Sequence, residues 1–369
     1  MRILHVYKDY FPVLGGIENH IRMLAEAQAA TGHRVTVLVC APGPRTHVED
    51  RNGVRVIKAA RLATVASTPL SVQQPWFLAR LRPDIIHIHS PYPVAEAANW
   101  LWGRARATVI THHSDVVRQK LILRFYGPIL RRVLRSADAI IATSPHYLET
   151  SPWLRPVRDR CTVVPLGIDL SRFPERPEPP IHDPPTILFV GKLRYYKGLD
   201  VLLRAMRSLS DVQLVVVGDG PMRKPWERLA QELELTARVR FAGEVPDEEL
   251  LTYYAGADLF VLPATARAEA FGTVLLEAMA MALPVISTEL GTGTSWVNQD
   301  GVTGRVVPPD DPDALAQAIR ELMADPERRR RMGRTARERV QAEFSLPMMV
   351  QRVEAVYERA LKQKRTSRS

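Results

Sequence analysis

The sequence predicts an α/β protein with mainly parallel sheets, divided into two domains. Short apolar runs of strand length alternate with amphipathic helical segments along nearly the whole chain. This alternation is the pattern of parallel sheets covered by helices on both faces. The length of 369 residues suits two domains of ordinary size. A stretch with six prolines, residues 173–185, separates the two alternating halves.

We therefore predict a first domain over residues 1–172, a linker over 173–185, a second domain over 186–345, and a C-terminal helix with its tail over 346–369. The expected strands of the first domain lie at 2–7, 36–39, 54–58, 85–89, 108–111, 139–143 and 162–165. Ligands of such sheets bind beyond the carboxyl ends of the strands. The residues that follow each strand are therefore the candidates for function.

Composition narrows the class of protein. A hydrophobic content of 46% with 24% charged residues is that of a soluble globular protein. We expect no secretory signal and no membrane span, because no apolar window reaches signal or bilayer length. The only cysteines, Cys40 and Cys161, favour a reducing cytoplasm and disfavour a thiolate metal site.

The net charge of +10 is concentrated in the first half of the chain. Residues 1–172 hold 23 Lys and Arg against 12 Asp and Glu, whereas the remainder is nearly balanced. This asymmetry favours an anionic partner for the first domain. Residues 116–135 contain six basic residues, no acid and an apolar face that is interrupted at Gly127-Pro128. They are either a segment that contacts an anionic membrane or a core-facing helix with a solvated basic face.

Residues 269–281, EAFGTVLLEAMAM, are the stretch around which the second domain is organised. They follow an apolar run at 258–263, and their composition predicts a strand, a loop and then a helix. Glu269 would lie in the loop, Gly272 at the turn, and Glu277 about two turns further on. The N–H groups at the start of this helix form an anion site. Two carboxylates beside an anion site suit a nucleotide sugar, which is anionic at its centre and hydroxyl-rich at both ends.

Two further loops have the composition of phosphate sites. Gly15-Gly16 stands between the first strand and a helix expected from about Ile17 to Ala30, where backbone approaches a phosphate closely. Lys192 and Lys197 follow the strand predicted at 186–191, and two cations at a strand end suit a diphosphate. The dinucleotide fingerprint G-x-G-x-x-G is absent, so the sequence does not support a nicotinamide-binding fold.

Histidines mark two strand ends of the first half. His87 and His89 lie on one face of the strand at 85–89, and the strand at 108–111 leads into His112-His113. No acidic cluster stands beside them, so we predict buried histidines rather than a metal site. Asp311, in the run Asp310-Asp311-Pro312-Asp313, is read as part of a helix start rather than as a metal ligand.

Taken together, these motifs resemble the retaining GT-B glycosyltransferases, in particular the large bacterial group known as family 4. The resemblance rests on P-x-x-G-G-x-E from Pro12 to Glu18, on residues 165–169 (PLGID), on Gly191-Lys192-Leu193 with Lys197-Gly198, and on the seven residues between Glu269 and Glu277. It covers nearly the whole chain in the family's order. It implies the GT-B fold: two Rossmann-like domains, a cleft between them, and a C-terminal helix that crosses back to the first domain.

The resemblance also implies roles for individual residues. Glu269 would hold hydroxyl groups of the donor sugar, Glu277 the ribose, and Lys192 and Lys197 the diphosphate. The backbone N–H groups of Phe271 and Gly272 would meet the sugar and phosphate, and Val245 would lie beside the base. Gly15 and Gly16 would complete the donor site from the first domain. His113 matches a family histidine near the transferred sugar, and we place it with Glu269, Lys192 and Lys197 among the catalytic candidates.

Two positions depart from the family's pattern. Lys192 stands where an Arg is more usual, and a Lys lacks the bidentate fork of Arg. Ser295 stands where the family has a Glu after paired glycines. The second departure lies in a loop that sets sugar preference, so it weakens the prediction of the donor.

The implied reaction moves a hexose from a nucleoside-diphosphate sugar to a glycan or lipid-diphosphate-linked acceptor, with retention of the anomeric configuration. GDP-mannose is our first choice of donor and a UDP-hexose the second. We expect neither cofactor nor metal, no nucleic-acid partner, and a cytoplasmic enzyme of surface-polysaccharide synthesis, such as that of lipopolysaccharide, in contact with an anionic membrane. Three alternatives stay open: a nucleotide-sugar epimerase, a metal-dependent hydrolase built on His87, His89 and His113, and a non-enzymatic module that binds membrane or nucleic acid.

Overall fold

The computed structural model describes residues 1–13, 15–65, 68–115, 120–174 and 184–366, without the side chains of 120–123 and 125. The chain divides into two compact units. The first comprises Met1–Leu166 together with the C-terminal segment from Leu346, and the second comprises Gly167–Ser345. Most of the proline-rich stretch, residues 175–183, lies outside the described ranges.

The first unit is an eight-stranded sheet with helices, as the alternation of strands and helices predicts. In chain order its elements are β1 (Arg2–Val6), α1 (Gly16–Ala30), β2 (Arg34–Cys40), β3 (His47–Arg51), β4 (Val54–Ala59), β5 (Ala63–Val65), β6 (Thr68–Leu70), α2 (Gln73–Arg80), β7 (Ile85–Ser90), α3 (Pro93–Trp102), β8 (Ala107–His112), α4 (Lys120–Ser136), β9 (Ala139–Ala142), α5 (Pro145–Thr150) and β10 (Cys161–Val163). β5 and β6 form a separate two-stranded sheet.

The order of strands in the large sheet is β10-β9-β8-β7-β1-β2-β4-β3. All neighbours are parallel except β3, an exposed edge strand that pairs antiparallel with β4 and that the sequence did not predict. The strand that follows β1 in sequence, β2, lies on one side of it, whereas β8 lies on the opposite side of β7. The strand order therefore reverses between β1 and β7. Ligands of open α/β sheets bind at the carboxyl ends of the strands on either side of such a reversal.

Helix α4 does not break at Gly127-Pro128, where the sequence suggested an interruption. The proline removes one hydrogen bond of the helix, at a cost of about 3 kcal/mol. Leu130 and Leu134 are buried beyond it, and burying a leucine contributes about 1.5–3 kcal/mol. Arg131, Arg132 and Arg135 are exposed. This end of the segment is thus a core-facing helix with a solvated basic face, while residues 116–119 lie outside the described ranges.

The second unit is a six-stranded sheet in which every pair of neighbours is parallel. Its elements are β11 (Thr186–Val190), α6 (Leu199–Met206), β12 (Gln213–Val217), α7 (Arg223–Glu232), β13 (Val239–Gly243), α8 (Asp247–Ala255), β14 (Leu259–Leu262), α9 (Thr273–Ala280), β15 (Val285–Thr288), α10 (Gly293–Val297), β16 (Gly304–Val307), α11 (Pro312–Ala324) and α12 (Pro326–Glu343). The order β13-β12-β11-β14-β15-β16 reverses between β11 and β14.

Two local predictions for the second unit are confirmed. Residues 258–281 form a strand, a loop and a helix, namely β14, the segment 263–272 and α9. Asp311 caps α11, since its side chain accepts from the N–H groups of Asp313 and Ala314. The cluster of aspartates therefore includes a helix cap.

The final helix, α13 (Leu346–Thr366), belongs to the first unit. Its apolar face joins a core that includes Ile3, Leu24 and Ile85 from the start of the chain. The buried residues on this face are Met349, Val350, Val353, Val356, Tyr357 and Ala360. Across the ranges that the structure describes, none of the helices combines the length and the apolar character that crossing a membrane requires.

Candidate active site

The strongest candidate site lies where the strand order of the second sheet reverses, between the carboxyl ends of β11 and β14. The segment after β11 carries Lys197, and the segment after β14 carries Glu269. The Nζ atom of Lys197 lies 2.6 Å from Oε2 of Glu269, and each side chain is only 10% exposed. Two predicted site residues that are 72 positions apart in sequence thus form a buried ion pair at the position where such sheets bind ligands.

Close packing of the two loops places this ion pair. Gly198 has a φ of +68°, and a Cβ there would lie 1.9 Å from the carbonyl oxygen of Pro263. The N–H of Thr265 donates to the carbonyl of Tyr196 over 2.9 Å. Glycine at 198 is therefore required both by the backbone conformation and by the contact between the two loops.

Lys192, the second predicted cation, is exposed, unlike Lys197. Among the described residues no carboxylate pairs with it. The structure therefore brings Lys197 and Glu269 together and leaves Lys192 at the rim of the same strand end. An unpaired ammonium on a flexible stem is available to an anionic ligand.

Helix α9 begins directly after the loop that carries Glu269. Gly272 precedes its first residue with a φ of +78° and a ψ of +62°, and within the described ranges no side chain caps this helix. Phe271 is buried and packs edge-to-face on Phe344, with ring centroids 6.3 Å apart. An uncapped helix start has the geometry that binds anions in other proteins, and its use by a ligand here stays a prediction.

Glu277 lies inside α9 and is half-buried. The hydroxyl of Tyr254 donates to its Oε2 over 2.8 Å. Burial raises the pKa of the Glu277 carboxyl, while the Tyr254 hydrogen bond and the charges of Arg172 and Lys197 oppose the shift. Tyr254 and Arg172 were not predicted, because they reach Glu277 from other elements.

Val245 lies between β13 and α8 and is half-buried at the same edge of the sheet. Gly243, two residues before Val245, lies under the guanidinium of Arg223. A Cβ added to Gly243 would be 3.2 Å from Nη1 of Arg223. Arg223 also pairs with Asp219 and Glu227. A charged group therefore lies near the loop predicted to meet the base.

The loop after β15 supplies a carboxylate that the sequence did not predict. Oε1 of Glu289 accepts from the hydroxyl of Ser295 over 2.9 Å and from the N–H of Gly291 over 2.8 Å. Thr292 donates to the carbonyl of Glu269 over 3.0 Å, which ties this loop to the central ion pair. A carboxylate thus lies beside Ser295, which stands where the resembling family has a Glu.

In the first unit, Gly15 and Gly16 lie at the start of α1, as predicted. Gly15 is extended, with a φ of −179°, and Gly16 is the first residue of the helix. A Cβ at Gly15 would lie 2.2 Å from Oε2 of Glu18, so the Glu18 carboxylate lies against this turn. Carboxylates in the first turn of a helix complement its dipole.

The predicted histidines of the first unit lie in a larger group of buried imidazoles. His87 and His89 on β7 are stacked, with ring centroids 4.4 Å apart, and His113 follows β8. His5 on β1 and His20 on α1 also belong to this group, and neither was predicted from the sequence. His5 pairs in register with His87, so a correct alignment of β1 beside β7 would have found it.

These imidazoles are neutral. Burial lowers the pKa of His5 to about 4 and that of His20 to about 3, and it holds the pKa values of His87, His89 and His113 well below their usual range. Ring nitrogens of two overlapping trios, His5, His87 and His89 or His20, His89 and His113, lie within 4.8 Å of one another. Neutral imidazole is a metal ligand, but most of these nitrogens are hydrogen-bonded to one another or to Gln28, Tyr357 and Thr111.

Two mainly parallel sheets, each with polar residues at the reversal of its strand order, define an α/β protein of the doubly wound class, whose ligands bind at such reversals. The family described as "Glycosyltransferase Family 4" matches residues 14–172, and "Glycosyl transferases group 1" matches residues 171–339. Full-length relatives agree with these matches. The chain belongs to the family 4 glycosyltransferases.

Two curated relatives cover almost the whole chain. The O-antigen chain mannosyltransferase C of Escherichia coli is 36% identical over 99% of this chain and 100% of its own length. The D-rhamnosyltransferase WbpZ of Pseudomonas aeruginosa is 38% identical over 94% of this chain and 92% of its own length. Among solved structures, the sucrose-phosphate synthase of Thermosynechococcus elongatus superimposes with a TM-score of 0.83 at 27% identity, covering 98% and 99% of the two chains. The predicted GT-B fold class is thereby confirmed.

Proposed function

We propose that this glycosyltransferase moves a hexose from a nucleoside-diphosphate sugar to a glycan or lipid-linked acceptor in the synthesis of a surface polysaccharide such as lipopolysaccharide. The observation that carries the proposal is the buried ion pair between Lys197 and Glu269, 2.6 Å apart beside the start of α9. The similarity to an O-antigen chain mannosyltransferase of Escherichia coli and a D-rhamnosyltransferase of Pseudomonas aeruginosa supports the polysaccharide context.

In this proposal Lys197, Lys192 and the start of α9 bind the diphosphate and stabilise the negative charge that grows on it as the glycosidic bond breaks. Glu269, paired with Lys197, accepts hydrogen bonds from hydroxyl groups of the donor sugar. Glu277 binds the ribose, and Val245 lies at the base. Phe271 and Gly272 contribute backbone N–H groups.

We further propose that the configuration at the anomeric carbon is retained and that no metal takes part. The transition state is oxocarbenium-like, as in glycoside hydrolysis. The acceptor attacks on the face that the diphosphate leaves, and a phosphate oxygen takes its proton. This route needs no carboxylate nucleophile. A trapped covalent glycosyl–enzyme adduct would contradict it.

GDP-mannose is the first proposed donor and a UDP-hexose the second. The two curated relatives are named for mannose and for D-rhamnose, which is 6-deoxymannose. Both sugars share the configuration of every ring carbon that bears a hydroxyl. A donor site for the manno configuration is therefore the simplest reading of both relatives.

Membrane contact is proposed through the exposed arginines of α4. Arg131, Arg132 and Arg135 face solvent on a unit whose sequence is strongly basic. Each basic residue close to an anionic leaflet contributes about 1 kcal/mol. Binding to vesicles with and without anionic lipid, compared with an Arg131→Gln, Arg132→Gln double variant, tests this contact.

The proposal is tested first by thermal shift in the presence of EDTA, with GDP-mannose, UDP-glucose, UDP-N-acetylglucosamine and the free diphosphates. A ligand that binds only the folded protein raises the melting temperature by mass action. We expect one base to stabilise the wild type and the Glu232→Ala control, whose substituted residue is exposed on α7, but to stabilise Glu277→Ala much less. The absence of a shift with every donor would contradict the proposal.

The configuration of the product then tests retention. The one-bond C–H coupling at the anomeric carbon of the transferred mannose distinguishes the α from the β product. An α-linked product from the α-configured donor is expected, and a β-linked product would show inversion.

A further inference from the structure

A chain of hydrogen bonds connects four buried side chains of the first unit. Oε1 of Gln28 on α1 lies 2.8 Å from Nε2 of His5. Nδ1 of His5 lies 3.1 Å from Nε2 of His89, and Nδ1 of His89 lies 3.0 Å from Nε2 of His113. The chain runs from the interior of α1, past the ends of β1 and β7, to the residue that follows β8.

The direction of this chain fixes the position of every proton. A neutral imidazole has one N–H donor and one lone pair. Because the carbonyl oxygen of Gln28 only accepts, Nε2 of His5 carries its proton. Nδ1 of His5 is then an acceptor, so His89 carries its proton on Nε2. By the same step His113 carries its proton on Nε2 and has a lone pair on Nδ1.

A second branch of hydrogen bonds runs through Tyr357. The Gln28 side chain lowers the pKa of this tyrosine against the larger effect of burial, which raises it, but the amide nitrogen forms no hydrogen bond within the described residues. The Tyr357 hydroxyl lies 2.6 Å from Nδ1 of His87, whose Nε2 lies 2.6 Å from Oγ1 of Thr111. Rotation of the amide by 180° would reverse the first branch, so Gln28 sets the direction of that branch.

The far end of the first branch is an almost fully buried His113 whose Nδ1 has no hydrogen-bond partner among the described residues. His113 is the first residue after β8, beside the reversal of strand order between β1 and β7. His20 packs edge-on against His89 and His113, with centroids 5.6 and 5.1 Å away, and its ring nitrogens have no partner in the described ranges. Burial lowers the pKa of every ring in this group, which keeps His113 neutral.

We propose that Gln28 is a positioning residue which, through His5 and His89, holds His113 in the Nε2–H tautomer so that its Nδ1 accepts a hydrogen bond from a hydroxyl group of a sugar substrate. The proposal rests on the transferase function for its substrate and on the hydrogen-bonded chain for its tautomer. Neither His5 nor His89 touches the substrate. Their part is to transmit the orientation of one amide over two imidazole rings.

The tautomer is tested by nitrogen NMR of the full-length protein with ¹⁵N-labelled histidine at pH 7, with ring signals assigned by single His→Gln variants. We expect His113 to show a protonated Nε2 and an unprotonated Nδ1. Observation of the Nδ1–H tautomer would overturn the proposal. So would a stoichiometric metal ion in the purified protein that replaces the hydrogen bond between His89 and His113.

Two variants of Gln28 separate its effect on the direction of the hydrogen-bonded chain from the effect of its side-chain packing. Gln28→Met has a similar shape without hydrogen-bonding groups, and we expect a mixture of tautomers at His113. Gln28→Glu keeps an acceptor toward His5, so His113 stays in the Nε2–H tautomer. Tyr357→Phe is the matched control, because it breaks the His87 branch and leaves His113 unchanged. An unaltered tautomer at His113 in folded Gln28→Met would refute the role of Gln28.

Kinetics test the use of the lone pair. We expect Gln28→Met to lower kcat/KM for transfer about tenfold, with the Kd for the free nucleoside diphosphate unchanged within twofold, and Gln28→Glu to recover most of the loss. Transfer by Gln28→Met at the wild-type rate would overturn the substrate contact while leaving the tautomer result to stand. If the wild type binds no nucleotide sugar, the proposed function itself fails, and the NMR result still decides the tautomer.

Discussion

The two units use the same topological feature with opposite electrostatics. Each sheet reverses its strand order once, between β1 and β7 in the first unit and between β11 and β14 in the second. At the second reversal the structure holds charge, with Lys197 and Glu269 paired over 2.6 Å. At the first it holds a group of buried imidazoles whose pKa values are all lowered by burial.

Under the proposed function, the difference follows from what each site must do. A site for a diphosphate needs cations, and the second unit places Lys197 there beside a carboxylate. A site that contacts only hydroxyl groups needs acceptors and donors without net charge, which neutral imidazoles supply. Parallel sheets therefore provide a place for a ligand, and the residue types at the strand ends decide its chemistry.

The largest expected effect is a loss of stability in acid that is confined to the first unit. A lowered histidine pKa means that the unfolded chain binds more protons between the two pKa values, so stability falls as the pH drops below about 6.5. Lowering the pH from 7 to 5 costs about 2 kcal/mol for each imidazole whose folded pKa is near 4 or below. By the same relation, His5 and His20 together should lower the free energy of unfolding by about 4 kcal/mol between pH 7 and pH 5.

Hydrogen exchange at pH 7 and pH 5, corrected for intrinsic rates, measures this effect in each unit separately. Protection should fall in β1, β7 and β8 and persist in β11 and β14. The described residues of the second unit contain no histidine, and the raised pKa of Glu277 favours that unit in acid. Equal loss of protection in both sheets would contradict the prediction that acid destabilises the first unit alone.

The next largest effect is expected at the ion pair of the second unit. Lys197→Met and Glu269→Gln should each lower kcat about 10²–10³-fold and destabilise the fold by about 3–5 kcal/mol, because a charge or polar group is left buried without its partner. The double variant should recover stability without activity. Urea unfolding and steady-state kinetics measure both quantities.

The exposed pair of Glu327 and Arg330 provides the matched control for the ion pair. Glu327→Gln should leave kcat and stability nearly unchanged. Additive destabilisation in the double variant, with no recovery, would mean that the two charges act independently.

A smaller effect of opposite sign is expected at Glu277. The raised pKa shows that the fold prefers the protonated carboxyl, so ionisation at neutral pH costs stability. Glu277→Gln mimics the neutral form and should raise Tm by about 2 °C at pH 8, with the gain shrinking in acid. Affinity for the nucleoside diphosphate should fall about tenfold. Differential scanning calorimetry and titration calorimetry measure the two changes, and a Tm gain that grows in acid would contradict the sign.

The smallest effect is expected in the loop after β15. Glu289 is exposed, so Glu289→Gln should change the free energy of unfolding by less than about 0.5 kcal/mol. Because Glu289 binds Ser295 and the loop is tied to Glu269, we expect the ratio of kcat/KM for GDP-mannose and UDP-glucose to change about threefold or more. An unchanged ratio would exclude this loop from donor selection.

Much of this architecture could be predicted from local sequence signals. The strand, loop and helix over 258–281 follow from an apolar run, a glycine and a series of helix formers, and the structure matches them. The placement of Glu269 and Lys197 at strand ends follows from the same signals. Their contact depended on knowing that β11 and β14 are neighbours, and the resemblance to a known family supplied that knowledge.

The features that were missed depend on register and burial rather than on local pattern. The bond between Tyr254 and Glu277 joins two helices, and the bond between His5 and His89 joins residues 84 positions apart. Helix α4 continues through Pro128 because leucines that follow the proline are buried. The expectation that proline interrupts a helix considers only the local backbone and leaves this burial out. Such contacts follow only after the strands have been placed side by side.

The return of α13 to the first unit has a consequence for biosynthesis. Ribosomes deliver the chain from its N-terminus, so the first unit emerges early but lacks the helix that completes its core. Tyr357, the partner of His87, leaves the exit tunnel only after the whole of the second unit. The second unit is continuous and can finish folding while the first still exposes an apolar groove. The unit that is made first is therefore the unit whose core is completed last.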